Sequence, residues 1–178
     1  MNLEDIPLIE TARLRLRAHT ASDFDASATL WALPGVVQYI GGTPSPRPAS
    51  WQRLLTYTGL WAHLGYGYWF VEERSTGRFV GEVGFADFKR DMSPSIAGTP
   101  EMGWVLQPLH HGKGYATEAV EAALEWGQNH IAAAKTVCII SPENVASLRV
   151  AEKCGFTETN RTTYLGKPVH LFERPLAR

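Results

Sequence analysis

Cysteine is scarce in this chain: two residues, Cys138 and Cys154, among 178. No C-x-x-C pair occurs, which excludes a disulfide framework and implies reduced, buried thiols. Long apolar runs are missing as well, and no window reaches the roughly 18 residues of a membrane-spanning helix. The opening MNLEDIPLIE is acidic and has no basic segment ahead of an apolar one, unlike a secretory leader. Neither charge dominates: the formal net charge is −1, so there is no broad basic field for nucleic acid. Proline and glycine concentrate in one place, Gly41 to Pro48. Too little chain precedes that stretch for a separate core, so it reads as a loop, and residues 1–178 read as a single domain. No internal repeat or low-complexity segment is seen. These absences describe a cytoplasmic protein with no membrane or nucleic-acid partner.

Aromatic residues are plentiful: six Trp, six Tyr and seven Phe. They call for large core packing or a ligand cleft, and Trp51 and Trp61 are candidates for either. Arg13-Leu14-Arg15-Leu16-Arg17 alternates charge and leucine and predicts a half-exposed strand with a solvated arginine face. Ser22 is placed to cap a helix through about Leu30, with Asp23 and Asp25 in its first turn. Leu33 to Tyr39 carries no clear signal. A helix runs from Pro48 or Ser50 to about Leu64. Tyr66–Glu73 and Arg78–Phe88, joined by Ser75-Thr76-Gly77, predict a hairpin. Strict alternation in the second arm puts Phe79, Gly81, Val83 and Phe85 on one face and Val80, Glu82, Gly84 and Ala86 on the other. Farther on, the pattern predicts a strand at Thr136–Ile140, a helix over 145–154 ended by Gly155, and a closing hairpin around Gly166.

The central stretch is EMGWVLQPLHHGKGYATEAVEAALEWG, Glu101 to Gly127. Glu101–Gln107 suits a strand, and Pro108 ends it. Gly112, Lys113 and Gly114 make a tight turn. Tyr115, Ala116, Ala119, Val120, Ala123, Leu124 and Gly127 then recur on one helical stripe. The first amides of a helix have no internal partner and carry partial positive charge, and glycines allow a phosphate close approach. Residues 111–117 can therefore cradle a diphosphate or can simply form a tight loop. A P-loop is excluded because Gly114 stands where Ser or Thr is required. A dinucleotide fingerprint is excluded because Thr117 stands at the third glycine.

The run GWVLQPLHHGKGYATEAVEAALEWG resembles the acetyl-coenzyme A motif of the GCN5-related N-acetyltransferases. GKGYATEA and ENVASLRVAEKCGF are similar to the RimJ/RimL-type branch, and the resemblance extends from Thr11 to the last strand. It implies an α/β (α+β) fold: a mixed, mostly antiparallel sheet flanked by helices and splayed between its fourth and fifth strands. It also implies an acetyltransferase using acetyl-CoA and an amine acceptor, with no metal, as a monomer or homodimer. The alternative is a non-catalytic acyl-CoA-binding module of the same fold.

Acetyl transfer to an amine needs a neutral nucleophile, donors for the oxyanion and a stabilised thiolate. By resemblance, backbone groups of Val105, Leu106 and Gln107 pair with the pantetheine arm. Amides of His111, Gly112, Lys113, Gly114, Tyr115, Ala116 and Thr117 hold the diphosphate. Asn144 matches a coenzyme A contact and also suits a helix N-cap. The superfamily's tyrosine acid falls at Ala151, so Ser147 is the candidate donor to the thiolate. Glu101 and Glu82 are the candidate bases. His111 replaces a tryptophan frequent in the family, and Leu109 departs from its Gln/Arg start.

Overall fold

The computed structural model describes residues 5–176. Its strands are β1 (Ile9–Glu10), β2 (Leu14–Arg17), β3 (Tyr68–Glu73), β4 (Phe79–Ala86), β5 (Glu101–Leu106), β6 (Lys135–Ile140), β7 (Thr157–Tyr164) and β8 (Lys167–Pro175). Its helices are α1 (Phe24–Trp31), α2 (Pro34–Val37), α3 (Arg47–Leu64), α4 (Tyr115–His130) and α5 (Val145–Lys153). The sheet order is β1-β2-β3-β4-β5-β6-β8-β7. Every neighbouring pair is antiparallel except β5 and β6. Those two parallel strands share a single registered pair, Glu101 with Val137, and diverge beyond it. Counted without the two-residue β1, they are the fourth and fifth strands.

One face of the sheet carries the main core. Leu14, Leu16, Trp69, Val71, Val83, Phe85, Met102 and Leu106 pack there against Ala119, Val120, Ala123 and Leu124 of α4. These are the stripe residues predicted from helical spacing. Trp61 is nearly sealed and joins this core, edge-on to Trp69 and Trp126, with its indole N–H donated to the Tyr68 carbonyl. Trp51 instead stays 37% exposed, edge-on to Phe24. The opposite face is covered by α1, α2 and α3 through Leu30, Trp31, Val36, Val37, Tyr57 and Leu60.

Three local expectations are corrected. Strict alternation fails in β4, because the register jumps from Val71↔Gly81 to Glu72↔Phe79 and leaves Val80 as an extra residue. A bulge of one residue reverses the facing beyond it. Val80 therefore joins Val83 and Phe85 in the main core, while Phe79 packs with Leu30 and Trp31. Ser22 is not the helix cap. The Asp23 carboxylate accepts the Thr20 amide at 2.8 Å and is clasped by Arg17 at 2.8 Å through both terminal nitrogens. Burial alone would raise the pKa of Asp23; the Arg17 and Thr20 bonds outweigh it and hold it low. The arginines of the RLRLR run are ion-paired rather than merely solvated: Arg15 to Glu10 and Glu72, Arg17 to Asp23 and Glu72, Arg13 to Glu118. Spacing cannot supply Glu72 and Glu118, which lie 55 to 105 positions from their arginines. The unassigned stretch after Leu33 contains α2, started by Pro34 at a position where a missing N–H costs nothing. Among the described residues no helix is long and apolar enough to cross a membrane, and both cysteines are free and buried.

Candidate active site

The bend between β5 and α4 is built from backbone. Pro108 starts a single helical turn, Gly112 and Gly114 take φ of +73° and +79°, and Gly114 caps α4 without a side-chain bond. Such left-handed angles suit glycine, which has no Cβ to clash. His111 donates its amide back to Pro108, and Glu118 donates to Gly114. Between them, among the described residues, the amides of Gly112, Lys113, Gly114, Tyr115, Ala116 and Thr117 have no acceptor within hydrogen-bonding geometry. A cluster of orphan donors at a helix N-terminus fits a diphosphate.

Side chains from the β1–β2 turn and from β3 hold this bend. Arg13 donates to the Lys113 carbonyl at 2.8 Å and to Glu118 at 2.6 Å, and its guanidinium lies 4.6 Å from the Tyr115 ring centre. Thr11 donates to Glu118 at 2.6 Å, and Tyr115 donates to Glu73 at 2.9 Å. The Glu118 carboxylate, raised by burial, is brought below its ordinary value by Thr11 and Arg13. Arg13 and Thr11 were missed as site-shaping residues. Their signal, an arginine and a hydroxyl ahead of an alternating strand, has no partner visible in sequence. His110 is buried with Nδ1 3.9 Å from Glu73. Burial first, partly opposed by Glu73, holds its pKa below the usual histidine value.

Along β5 the predicted pantetheine contacts divide. The Gln107 amide donates to Val80 of β4 at 2.9 Å, and Val137 of β6 donates to Pro100 at 3.0 Å. Successive backbone groups of a strand point to opposite edges. The polar groups of Trp104 and Leu106 therefore face the gap, while those of Val105 face β4. Of the expected trio, Leu106 borders the gap with Trp104 beside it, whereas the Val105 groups and the Gln107 amide are turned to β4. His111 Nε2 lies 3.1 Å from the Leu106 carbonyl. A carbonyl is only an acceptor, so that nitrogen carries the proton.

Across the gap, Asn144 caps α5 by accepting the Ser147 amide at 3.1 Å. Ser147 is half-buried, and its hydroxyl makes no hydrogen bond among the described residues. Glu101 sits at the pivot where β5 and β6 still pair, and Arg90 clasps it at 2.6 and 2.8 Å. Glu82 is sealed from solvent. Ser27 donates to one oxygen at 2.6 Å; the Trp31 indole at 2.8 Å and the Tyr57 hydroxyl at 3.2 Å donate to the other. His19 Nε2 lies 3.6 Å away. Burial works to raise the Glu82 pKa, but His19 and the Ser27 and Trp31 donors overcome it and hold the carboxylate below its ordinary value. Both candidate bases, Glu101 and Glu82, thus already receive donors from neighbouring side chains. Among the described residues no cluster of three His, Cys, Asp or Glu could hold a metal ion.

A mixed sheet whose parallel strand pair opens beside a bend of unpaired amides defines the fold class, and the comparisons supply the family. The acetyltransferase (GNAT) domain family matches residues 13–157. The chain is 32% identical to YkkB of Bacillus subtilis strain 168 over 174 residues, covering 92% of this chain and 93% of that protein. Its structure superposes on a GnaT-family acetyltransferase from Bordetella pertussis with a TM-score of 0.83 at 27% identity, covering 94% and 99% of the two chains. It shares the fold of the RimL ribosomal L7/L12 α-N-protein acetyltransferase in complex with coenzyme A, at a TM-score of 0.76 and 18% identity over 95% and 98% of the chains. The chain belongs to the GNAT acetyltransferase family.

Proposed function

We propose that this protein is an acetyl-CoA-dependent N-acetyltransferase of the RimJ/RimL-type branch that acts on a primary amine by direct attack. The observation that carries this reading is the row of six orphan amides, Gly112–Thr117, at the mouth of the β5/β6 gap. Their number and position suit the diphosphate of coenzyme A, and the neighbour RimL was solved with that molecule. Backbone groups of Leu106 and Trp104 pair with the pantetheine arm. Asn144 adds a polar contact, and the Ser147 hydroxyl donates to the leaving thiolate. Each oxygen of Glu101 and the Ser27-bonded oxygen of Glu82 keep a second lone pair, so the amine's proton reaches one of these carboxylates through water. The reaction takes place in the cytoplasm, and the acceptor is a protein N-terminus or a small amine.

The test is thiol release from acetyl-CoA over a panel of amines and N-terminal peptides, with coenzyme A affinity measured by calorimetry on the same preparation. Turnover of at least one amine and saturable coenzyme A binding are expected. Binding without turnover across the panel leaves a non-catalytic acyl-CoA-binding module. Absence of binding removes both readings.

A further inference from the structure

Tyr68, Gly84 and Gly103 form a row across β3, β4 and β5: Tyr68 is registered with Gly84, and Gly84 with Gly103. The two glycines clear a path for the phenol. A Cβ on Gly84 would lie 2.4 Å from the Tyr68 Cα, and one on Gly103 would lie 2.0 Å from the Tyr68 hydroxyl oxygen. The ring, stacked on Tyr57 at 4.3 Å and 9°, thus spans the sheet and ends over Gly103. The next strand in order is β6, which has already left β5 beyond Val137. The hydroxyl is therefore aimed at the inner end of the gap, on the face opposite α4 and α5.

Covering bare strand glycines explains the ring. It does not explain the oxygen. Tyr68 keeps 6% of its surface, and its hydroxyl makes no hydrogen bond among the described residues. A phenylalanine would cover the same glycines without a polar atom, and the Tyr68 oxygen is not among the sealed polar atoms that lack a partner, so it stays open to what enters beside Gly103. Tyr57, the neighbour it stacks on, does bond, to Glu82. The lone hydroxyl at the gap points to a ligand atom.

We propose that the Tyr68 hydroxyl is a catalytic donor to the thioester carbonyl oxygen of the acyl substrate; this rests on the acetyl-CoA reading above. Burial and the nearby Glu101 carboxylate push the phenol's pKa up, so it remains a donor. An attacking amine needs a proton acceptor, which a protonated phenol is not. A carbonyl oxygen needs donors, and the Trp104 amide faces the same gap. In the step, the amine lone pair forms the C–N bond and the carbonyl π pair moves to oxygen, where Tyr68 holds it without giving up its proton. That pair then re-forms the carbonyl as the C–S bond breaks, the thiolate leaves with the bonding electrons, and the amine's proton passes to water.

The experiment is isotope-edited infrared difference spectroscopy of acetyl-CoA labelled with carbon-13 at the carbonyl, bound to the wild type and to Tyr68→Phe. In the wild type the thioester carbonyl band should move to lower frequency than in free acetyl-CoA. In Tyr68→Phe that shift should shrink, with coenzyme A affinity within about twofold and the melting temperature unchanged. Gly103→Ala, which displaces the phenol, should reproduce the loss. On an accepted amine, Tyr68→Phe should lower kcat by about 10²–10³-fold with little change in KM, the range for removing one oxyanion donor. An identical carbonyl band in wild type and Tyr68→Phe overturns the proposal while leaving the acetyl-CoA reading intact. Failure of acetyl-CoA to bind the wild type overturns both.

Discussion

The bend after β5 and the polar cluster around Glu82 sit on opposite sides of the sheet and are built on opposite principles. The bend is backbone: two left-handed glycines and six amides without acceptors. The Glu82 cluster is side chain: one sealed carboxylate receiving donors from α1 and α3, with His19 beside it. In the bend unpaired donors are left open at the surface for a ligand. In the cluster the donors are satisfied internally, and the carboxylate fixes α1 and α3 to β4. A region made to bind leaves its hydrogen-bonding capacity unfilled, whereas a region made to hold fills it. Tyr68, whose hydroxyl is unfilled and not sealed, belongs with the first kind although its ring stands among the second.

The comparison breaks most visibly at Glu82. Glu82→Leu strands the Ser27, Trp31 and Tyr57 donors in a dry interior. It should destabilise the fold by about 3–5 kcal/mol in urea or guanidinium titration. Glu82→Gln keeps an acceptor and should cost clearly less. Equal costs for the two would show that the cluster holds the helices by packing rather than by its bonds.

At the bend the loss should fall on ligand affinity rather than on stability. Proline cannot adopt the +73° of Gly112, so Gly112→Pro distorts the amide row. Coenzyme A affinity should drop by about tenfold or more. Its effect on the denaturation midpoint should be smaller than that of Glu82→Leu. Retained affinity in calorimetry would remove the amide cradle from the account.

His110 stands at the bend, beside Glu73 and the Tyr115 ring. Its folded pKa lies below the unfolded value of about 6.5, so the unfolded chain binds the proton more readily. The stability it contributes is complete above about pH 6.5 and is lost as pH falls through the folded value. His110→Gln should flatten the stability profile below about pH 7, read from denaturation midpoints. The smallest effect is expected from Arg13→Ala. The side chain is 47% exposed, so about 1 kcal/mol of stability should be lost, together with a few-fold loss of coenzyme A affinity as the bend loosens. No change in affinity would show that the glycine angles hold the bend unaided.

Much of the fold was legible because it rests on short-range pattern. The α4 stripe, the hairpin at Ser75–Gly77, the glycine bend and the Asn144 cap each follow from a few adjacent residues. The β4 bulge was not legible, since Val80 looks like any other residue of an alternating run until β3 fixes the register. The direction of the Val105, Leu106 and Gln107 backbone groups was hidden for the same reason. Glu82 read only as a candidate base, because its donors lie 25 to 55 positions away.

By itself the sequence determined the strand–bend–helix unit, because glycine at a helix start and apolar residues at helical spacing act within one turn of chain, and its motifs carried the resemblance to the family. Tertiary structure alone decided where β5 and β6 part, which carboxylates are occupied, and that a tyrosine from β3 reaches Gly103. Those outcomes depend on contacts between elements far apart in the chain, and such contacts exist only once the sheet has closed its register.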